Sequence, residues 1–302
     1  MQKLKIIGIK KIPKRDRYDL TINSTHNFFA NGILIHNTSS IFSYVLCKQK
    51  LNWKQKIAKY LTGHEFNKYD YLYASRTVIK NQYIMKDAEK TGNVYHVGFY
   101  GCDIWGEAFK IVKPHLIKGM TVYAEIVGYT STNKYIQKDY DYGCVPLKDG
   151  EDYTYGKHFK IYVYRVTLTN VDGEVHEFSP REVQIWCMNN DLVAVPEYYY
   201  GKAKDLYPDL DITTHWHENF WRRMASDKNF YMEMNSPDCI HKVPHEGVVI
   251  KIDDMIPRAF KLKCYRFVNK EEKELDAGIT NIEDAQSENI DNDDSNSYID
   301  KQ

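Results

Sequence analysis

The chain has 302 residues, of which 43% are hydrophobic and 14% aromatic, and its net charge is zero. This length is enough for two domains with a buried core, whereas the lack of a long apolar run argues against a membrane-spanning helix or a signal peptide. The six scattered cysteines contain no C-x-x-C pair, which argues against a zinc ribbon. Scattered cysteines also favour reduced thiols, so we expect a soluble, cytoplasmic protein with no membrane partner.

The zero net charge conceals three regions of different charge. Residues 1–37 contain seven Lys and Arg against two Asp, a balance of +5. Residues 268–302 contain eleven acidic residues against three Lys, a balance of −8, and the residues between carry the remaining +3. This distribution predicts three segments with different roles.

The first segment has the pattern of a small all-β unit. Residues 3–12 and 17–23 have strand character, and NSTHN (23–27) is typical of a turn. Two short apolar runs then flank Asn31 and Gly32, a dipeptide that is the strongest short signal for a β-hairpin. A unit of residues 1–37 is too short to fold well alone.

Three consecutive residues at the end of this segment have complementary chemistry. The side-chain amide of Asn37 can attack its own backbone carbonyl, forming a succinimide and cutting the chain after it. His36 is placed to donate a proton at that carbonyl. The hydroxyl of Thr38 becomes a nucleophile if a base or strain activates it. The order His-Asn-Thr therefore predicts autocatalytic cleavage after Asn37.

The stretch YDLTINSTHNFFANGILIHN, which ends at Asn37, resembles the C-terminal blocks of inteins. The matching features are an early Asp, a THN turn, an FFANG hairpin and a terminal His-Asn before Thr. The resemblance implies that Asn37 cyclises with help from His36 and that Thr38 accepts the N-terminal extein. It also implies that Asp19 and His26 tune the branched intermediate. The alternative is a β-hairpin that happens to end in His-Asn.

An intein also needs an N-terminal half with a first Cys or Ser and a second catalytic His, and nothing precedes Met1 in this sequence. We therefore expect residues 1–37 to be the C-terminal fragment of a split intein, a small all-β fragment of the HINT type. Its positive charge would steer association with an oppositely charged partner chain, whose sheet its strands would complete. A piece cut from a longer reading frame is the alternative.

From Thr38 onward a second protein begins, and its pattern is mixed α+β with mostly antiparallel sheets expected. Helical periodicity is found at residues 52–61, 107–117 and 215–236. Strand-like runs are found at residues 38–45, 121–129, 158–170, 183–188, 246–253 and 258–267. We expect Trp53 and the other tryptophans to be core residues.

The strands of this segment carry an ordered set of charged residues. Glu125 follows an apolar strand start, Glu246 opens a later strand, and Lys251 lies further along it. Lys261 and Lys263 are two residues apart, so on a strand their ammonium groups point to one face. Two ammonium groups on one face suit a polyphosphate, and a nearby carboxylate suits Mg²⁺, directly or through water.

The order AEIVG, IYVYRV, EGVVIK and FKLKCYRF resembles motifs III, IIIa, IV and V of the covalent nucleotidyltransferases. Among these enzymes the sequence is most similar to the ATP-dependent RNA ligases of the phage RNA-repair type. The resemblance covers residues 38–267. It implies a nucleotidyltransferase domain with antiparallel sheets and flanking helices, which uses ATP and Mg²⁺ to join RNA ends.

The resemblance assigns the nucleoside of ATP to motifs III and IIIa. Glu125 would hold the ribose, and Tyr162 or Tyr164 would stack on adenine, which suits an aromatic ring. Which of the two tyrosines stacks stays open, because Arg165 stands where many relatives have Asp.

The phosphates of ATP are assigned to the remaining motifs. Arg76, in YASRTV, stands where the family carries an arginine that contacts the transferred phosphate. Glu246 would position the metal, Lys251 belongs to the same ATP-binding set, and Lys261 and Lys263 would neutralise phosphates during catalysis.

The family's nucleophilic lysine, in a K-x-D-G or K-x-H-G motif upstream of motif III, is absent from this sequence. In LKDG (147–150) the lysine is one residue too close to the Asp, and NVDG (170–173) has no lysine. In relatives the motif glycine is followed by Thr or a similar residue and a strand, as in TSSIFSYV. We infer that the intein interrupts this motif directly after its glycine. The lysine then lies on the partner chain, and this chain alone is expected to be inactive as a ligase.

The acidic residues 268–302 predict a tail that is disordered beyond a short helix near NKEEKELDA. The tail is too short for the oligonucleotide-binding barrel of DNA ligases and capping enzymes, which favours an RNA ligase. The alternatives are a DNA ligase or capping-type nucleotidyltransferase, and a non-catalytic nucleic-acid-binding remnant. Because residues 38–267 carry only +3, we expect a local basic patch to hold the RNA.

Overall fold

The computed structural model describes residues 28–30, 33–35, 40–48, 51–64, 66–75, 79–81, 101–211, 213–252 and 258–277. The chain divides into two compact units, residues 1–37 and 38–302. Several predicted site residues lie outside the described residues, namely Asp19, His26, His36, Asn37, Thr38 and Arg76. The predicted tail beyond residue 277 also lies outside them.

In the first unit the structure describes a β-hairpin. β1 (Phe28–Ala30) pairs antiparallel with β2 (Ile33–Ile35), and the Asn-Gly dipeptide lies between the two strands in the sequence. The hairpin predicted at this dipeptide is therefore confirmed. The strands predicted at residues 3–12 and 17–23 lie outside the described residues.

The second unit is built around a seven-stranded sheet. Its strands are β3 (Ser40–Lys48), β4 (Asn67–Ala74), β5 (Ile79–Asn81), β6 (Met120–Gly128), β7 (Phe159–Thr169), β8 (Val175–Glu177) and β9 (Val193–Ala194). The order is β5-β4-β3-β6-β7-β8, with β9 also paired to β7. Among the described strands only β9 pairs in parallel, so the expected antiparallel α+β arrangement is confirmed.

The helices of the second unit lie between and after these strands. They are α1 (Trp53–Thr62), α2 (Ile104–Val112), α3 (Pro180–Asn189), α4 (Ala203–Leu206), α5 (Trp216–Ala225) and α6 (Tyr265–Asp276). Short 3₁₀ turns occupy Lys113–His115 and Lys228–Phe230. The helices predicted at residues 52–61 and near 269–277 are confirmed. The helix predicted at 107–117 begins earlier, at Ile104, and ends at Val112, and the one predicted at 215–236 ends at Ala225. Within the described residues, no helix combines the length and apolar character needed to cross a membrane.

One face of the seven-stranded sheet is covered by α2 and α3. Ala108 and Val112 of α2 and Val183 and Cys187 of α3 are buried there. They pack against alternate residues of the central strands, which are Phe42, Val122, Ala124, Ile126, Ile161 and Val163. Because side chains alternate along a strand, the intervening residues of these strands face the opposite side.

A two-stranded antiparallel sheet lies apart from the large one. It consists of β10 (Gly247–Ile252) and β11 (Arg258–Lys263). One of its faces joins a second hydrophobic cluster, which contains Val248 of β10, Phe220 of α5 and Phe267 of α6. In the observed register the residues of the other face are Gly247, Val249, Lys251, Ala259, Lys261 and Lys263.

The prediction of a strand at residues 183–188 is wrong, because this run lies inside α3. The side chain of Ser179 accepts a hydrogen bond from the backbone of Glu182, whose side chain accepts one from the backbone of Ser179. This reciprocal pair, followed by Pro180 at the first position, is a strong helix start. A short apolar run fits a strand or a buried helix equally well. Here the capping interactions of Ser179 and Glu182 favour the helix.

The strand predicted at residues 258–267 ends at Lys263, and α6 begins two residues later. The carboxylate of Glu233 accepts hydrogen bonds from the backbone N–H groups of Tyr265 (2.5 Å) and Arg266 (3.1 Å). These N–H groups have no partner inside the helix, so a distant carboxylate stabilises the start of α6. This contact is long-range and leaves no local signal in the sequence.

Candidate functional site

The candidate site lies on the face of the seven-stranded sheet that α2 and α3 do not cover. Glu125 of β6 lies opposite Tyr162 of β7, and both neighbours of Tyr162 in the sequence are core residues. Tyr162 and Glu125 therefore point away from that core. The lysine face of β10–β11 meets this surface, because Nζ of Lys251 donates a hydrogen bond to the backbone carbonyl of Tyr164.

Lys261 and two predicted site carboxylates form the charged part of the site. Nζ of Lys261 lies 2.5 Å from Oε1 of Glu246. Burial alone would lower the pKa of Lys261, but Glu246 above all, and then Glu125 and Glu271, raise it above its ordinary value. The side chains of Lys261 and Glu246 are 43% and 31% exposed, so the pair adds little to stability. A charged ammonium that water can reach remains able to exchange its carboxylate for a phosphate.

Lys263 has a different partner from Lys261, although both lie on one face of β11 as predicted. Its Nζ is 2.8 Å from Oε2 of Glu271 on α6 and 5.2 Å from the centre of the Phe267 ring. The two ammonium groups are therefore each balanced by a separate carboxylate. A polyphosphate that bound both would have to displace both ion pairs.

The backbone conformation and close packing at position 247, directly after Glu246, require a glycine. Gly247 has a φ of +137°, and a Cβ atom there would overlap the carbonyl oxygen of Leu262 on the neighbouring strand. Only glycine permits this close approach. The backbone carbonyl of Glu246 also accepts a hydrogen bond from the N–H of Cys264 at 3.0 Å. The backbone of Glu246 is thus fixed relative to the strand that carries the two lysines.

Lys251 lies deeper than the other lysines and contacts the large sheet. Burial lowers the pKa of Lys251, and the nearby Arg165 lowers it further, while Glu177 opposes the change. A guanidinium nitrogen of Arg165 is 2.6 Å from Oε2 of Glu177, and the guanidinium stacks 4.7 Å from the centre of the Tyr123 ring. The Arg165–Glu177 pair therefore sets the electrostatic surroundings of Lys251.

Tyr142 belongs to the site although the sequence did not single it out. Burial raises the pKa of its hydroxyl well above the usual value, and Glu246, Cys239 and Glu125 raise it further. Its ring centre is 6.2 Å from that of Tyr162, and its hydroxyl donates to Oε1 of Gln137 at 2.8 Å. Its φ of +47° is rare for a residue with a Cβ. In the sequence it is one tyrosine in a tyrosine-rich turn, with no spacing to distinguish it.

The loop that carries Tyr142 is held by a buried carboxylate. Asp141 accepts hydrogen bonds from the backbone N–H groups of Gly143 (2.7 Å), Ile240 (2.8 Å) and His241 (2.9 Å). Burial alone would raise the pKa of Asp141, but these N–H groups and the nearby His241 side chain lower it below the ordinary value. Asp141 therefore ties this loop, as an anion, to the segment that leads to Glu246.

We expect Asp141→Asn to destabilise the protein by about 2 kcal/mol at pH 7, because an amide cannot accept all three hydrogen bonds. The folded-state pKa of Asp141 is the lower one, so its contribution is present above the unfolded-state pKa and is lost as the pH falls through the folded-state pKa. The difference between wild type and variant, measured by urea unfolding, should therefore shrink below about pH 4.

The matched control for this prediction is Asp172→Asn. Asp172 is exposed in a turn, so its substitution should change the free energy of unfolding by less than about 0.5 kcal/mol. A cost for Asp141→Asn that stays constant between about pH 7 and pH 3 would show that the ionised carboxylate is not what holds the loop.

The residues at the site are suited to bind Mg²⁺ only together with the phosphates of a substrate. Among the described residues, no three His, Cys, Asp or Glu side chains are grouped closely enough to hold a metal. Glu246, the predicted metal residue, is paired with Lys261. Mg²⁺ is commonly bound by one or two carboxylates together with water and substrate phosphates. The donor set therefore fits that mode of binding and does not form a preformed metal cage.

Comparisons with known proteins leave the family of this chain open. No protein-family model matches the sequence. No curated protein matches it either.

Proposed function

We propose that residues 1–37 act in protein splicing and that the spliced product is an ATP-dependent RNA ligase. Asn37 cyclises with a proton from His36, and Thr38 is the nucleophile that receives the N-terminal extein. Asp19 and His26 tune the branched intermediate. The boundary between the two compact units falls at the same peptide bond, between residues 37 and 38, and this coincidence supports the proposal.

The observation that carries the ligase half of the proposal is the register of β3. Ser40 lies opposite Ala124, the residue directly before Glu125. A motif I lysine three residues before its glycine would be six residues from Ser40 after splicing, a reach of about 20 Å in extended chain. The splice at Thr38 would therefore deliver the lysine to the end of the sheet where Glu125 and Tyr162 lie.

The ligase would work in three steps. The partner's lysine amine attacks the α-phosphorus of ATP, forming an N–P bond, losing a proton and releasing pyrophosphate. An oxygen of the RNA 5′-phosphate then takes the AMP from the lysine, and a 3′-hydroxyl attacks this activated phosphate and releases AMP. Lys261 and Lys263 neutralise the charge on the transferring phosphate. Mg²⁺ bound with the phosphates, near Glu246, supplies further charge neutralisation.

Of the two candidate stacking residues, we expect Tyr162 to bind adenine. It lies directly opposite Glu125, which is proposed to hold the ribose, whereas Lys251 engages the backbone of Tyr164 and lies 5.9 Å from its ring centre. Tyr162→Ala should raise the KM for ATP in lysyl–AMP formation about tenfold, through loss of stacking.

Tyr162→Phe is the control for this prediction, because it keeps the ring and should keep the KM for ATP. The measurement is the rate of lysyl–AMP formation by the spliced enzyme over a range of ATP concentrations. A larger effect from Tyr164→Ala than from Tyr162→Ala would reverse the assignment.

The spliced product should be assayed on matched RNA and DNA ends to test the proposed activity. We expect joining of a 5′-phosphorylated RNA to an RNA 3′-hydroxyl. Sealing of nicked DNA alone would instead favour a DNA ligase, and transfer of a nucleotide to an RNA 5′-end without joining would favour a capping-type enzyme. A spliced product that binds nucleic acid but never reacts would be a non-catalytic remnant.

A further inference from the structure

Helix α1 has an apolar face that is exposed along its whole length. The exposed fractions are 67% for Trp53, 50% for Ile57, 89% for Tyr60 and 73% for Leu61. These residues recur at the spacing of one helical face, and no residue of α1 is buried. The expectation that Trp53 is a core residue is therefore wrong.

Local signals, and not packing, specify this helix. The side chain of Asn52 accepts a hydrogen bond from the backbone N–H of Gln55 at 2.9 Å. In return, the side chain of Gln55 accepts a hydrogen bond from the backbone N–H of Asn52 at 3.0 Å. Gly63, with a φ of +68°, ends the helix. A ten-residue helix is marginal alone, yet nothing in the described part of the chain buries this face.

The charge around α1 indicates the chemistry of a partner that would cover its apolar face. Residues 48–64 contain five lysines and no Asp or Glu, although residues 38–267 as a whole carry only +3. Lys54 and Lys56 are exposed and, at about 100° per residue, lie on either side of the apolar face. Nζ of Lys54 is 5.6 Å from the centre of the Trp53 ring. Lysines beside exposed aromatic rings suit phosphates and unpaired bases together.

We propose that α1 binds the single-stranded part of an RNA substrate. Its lysines contact phosphates, and Trp53 and Tyr60 stack on unpaired bases, which a duplex would not offer. This inference rests on the proposed function, because it makes α1 a second contact for the RNA whose ends are joined. It also supplies the local basic patch that the low overall charge requires.

The position of α1 in the fold agrees with a contact away from the reacting ends. β3 begins at Ser40, opposite Ala124, and ends at Lys48, shortly before α1. Its nine residues span about 26 Å, because they are separated by eight steps of about 3.3 Å each. The RNA therefore has to reach from the candidate site along the sheet. Basic amphipathic helices also lie on anionic membranes, but the direct connection of α1 to this sheet favours RNA.

The test is fluorescence anisotropy of the 302-residue chain with a labelled, 5′-phosphorylated single-stranded RNA of about 20 nucleotides. Between about 50 and 200 mM salt, Lys54→Ala/Lys56→Ala should reduce the slope of log affinity against log salt by about 1.4, or 0.7 for each phosphate contact. Trp53→Ala/Tyr60→Ala should weaken binding about tenfold at every salt concentration. Tyr60→Phe should bind as the wild type does.

The matched control is Lys202→Ala/Lys204→Ala, which removes two exposed lysines at the same spacing, at the start of α4, and should leave the slope unchanged. RNA affinity that is equal in the wild type and the α1 variants would overturn the proposal. So would loss of binding to phosphatidylserine vesicles in the α1 variants without any change in RNA affinity, because α1 would then be a membrane-surface helix.

This test separates the inference from the function on which it rests. Formation of lysyl–AMP needs ATP but no RNA, so the α1 variants should form it at the wild-type rate after splicing. RNA binding that depends on α1 in a spliced chain that never forms lysyl–AMP would keep the RNA surface and remove the ligase. If the spliced chain forms lysyl–AMP but its RNA binding does not depend on α1, the ligase proposal stands and the proposed RNA surface on α1 is wrong.

Discussion

Asn37→Ala should abolish release of the ligase segment from residues 1–37. Alanine has no side-chain amide to attack the scissile carbonyl, so the branched intermediate formed on Thr38 cannot be resolved. His36→Ala should retain the reaction but slow it by about 10²- to 10⁴-fold, the usual contribution of a positioned proton donor. The measurement is the mass of the products on mixing the chain with an N-terminal intein half.

Asn23→Ala is the control for this prediction, because this asparagine lies in the same segment but is not followed by the proposed cleavage site. Its splicing yield should equal that of the wild type. Thr38→Ala should block transfer of the N-terminal extein while still permitting cleavage after Asn37. A full yield of spliced ligase from Asn37→Ala would show that these residues are an ordinary hairpin end.

Lys261→Met should reduce the rate of lysyl–AMP formation by the spliced ligase by about 10²- to 10³-fold, the usual effect of removing one group that stabilises a developing charge. The substitution removes the ammonium that we propose neutralises the transferring phosphate, and it leaves Glu246 without the partner that lies 2.5 Å away. Lys261→Arg should recover part of the rate, because the charge is kept and the geometry is changed. Single-turnover assays with labelled ATP measure this step.

The control for Lys261 is Lys270→Met. Nζ of Lys270 lies 3.2 Å from Asp139 and 3.6 Å from Glu274, so the substitution also breaks a partly exposed ion pair on the same unit. Its rate of lysyl–AMP formation should stay close to that of the wild type. Equal losses in the two variants, with equal losses in thermal stability, would mean that Lys261 acts only through folding.

The elements that the sequence predicted well are those with a short-range cause. The Asn-Gly dipeptide predicts the β1–β2 hairpin, and the strand-like run at residues 158–170 predicts β7. The sequence predicts a strand where the structure has α3, because a short apolar run suits both structures. The capping box between Ser179 and Glu182 decides that case, and it is visible in the sequence as S-P-R-E.

The candidate site was predictable only in part, because its residues come from two separate sheets. The sequence places Lys261 and Lys263 on one face of a strand, and the register confirms that placement. It does not say that Lys261 pairs with Glu246 while Lys251 contacts Tyr164. Those contacts depend on how β10–β11 packs against β7, which no pattern along either strand encodes.

The most direct test is to mix this chain with ATP labelled on the α-phosphate and with an N-terminal intein half whose extein ends in K-x-D-G, and to measure which proteins form and carry the label. The products are resolved by mass and label on a denaturing gel. We expect a new, longer protein that carries the label, and no such band when Asn37→Ala and Thr38→Ala are combined. A spliced protein that never takes the label would contradict the ligase assignment. Label on the unmixed 302-residue chain would show that the nucleophile lies within it.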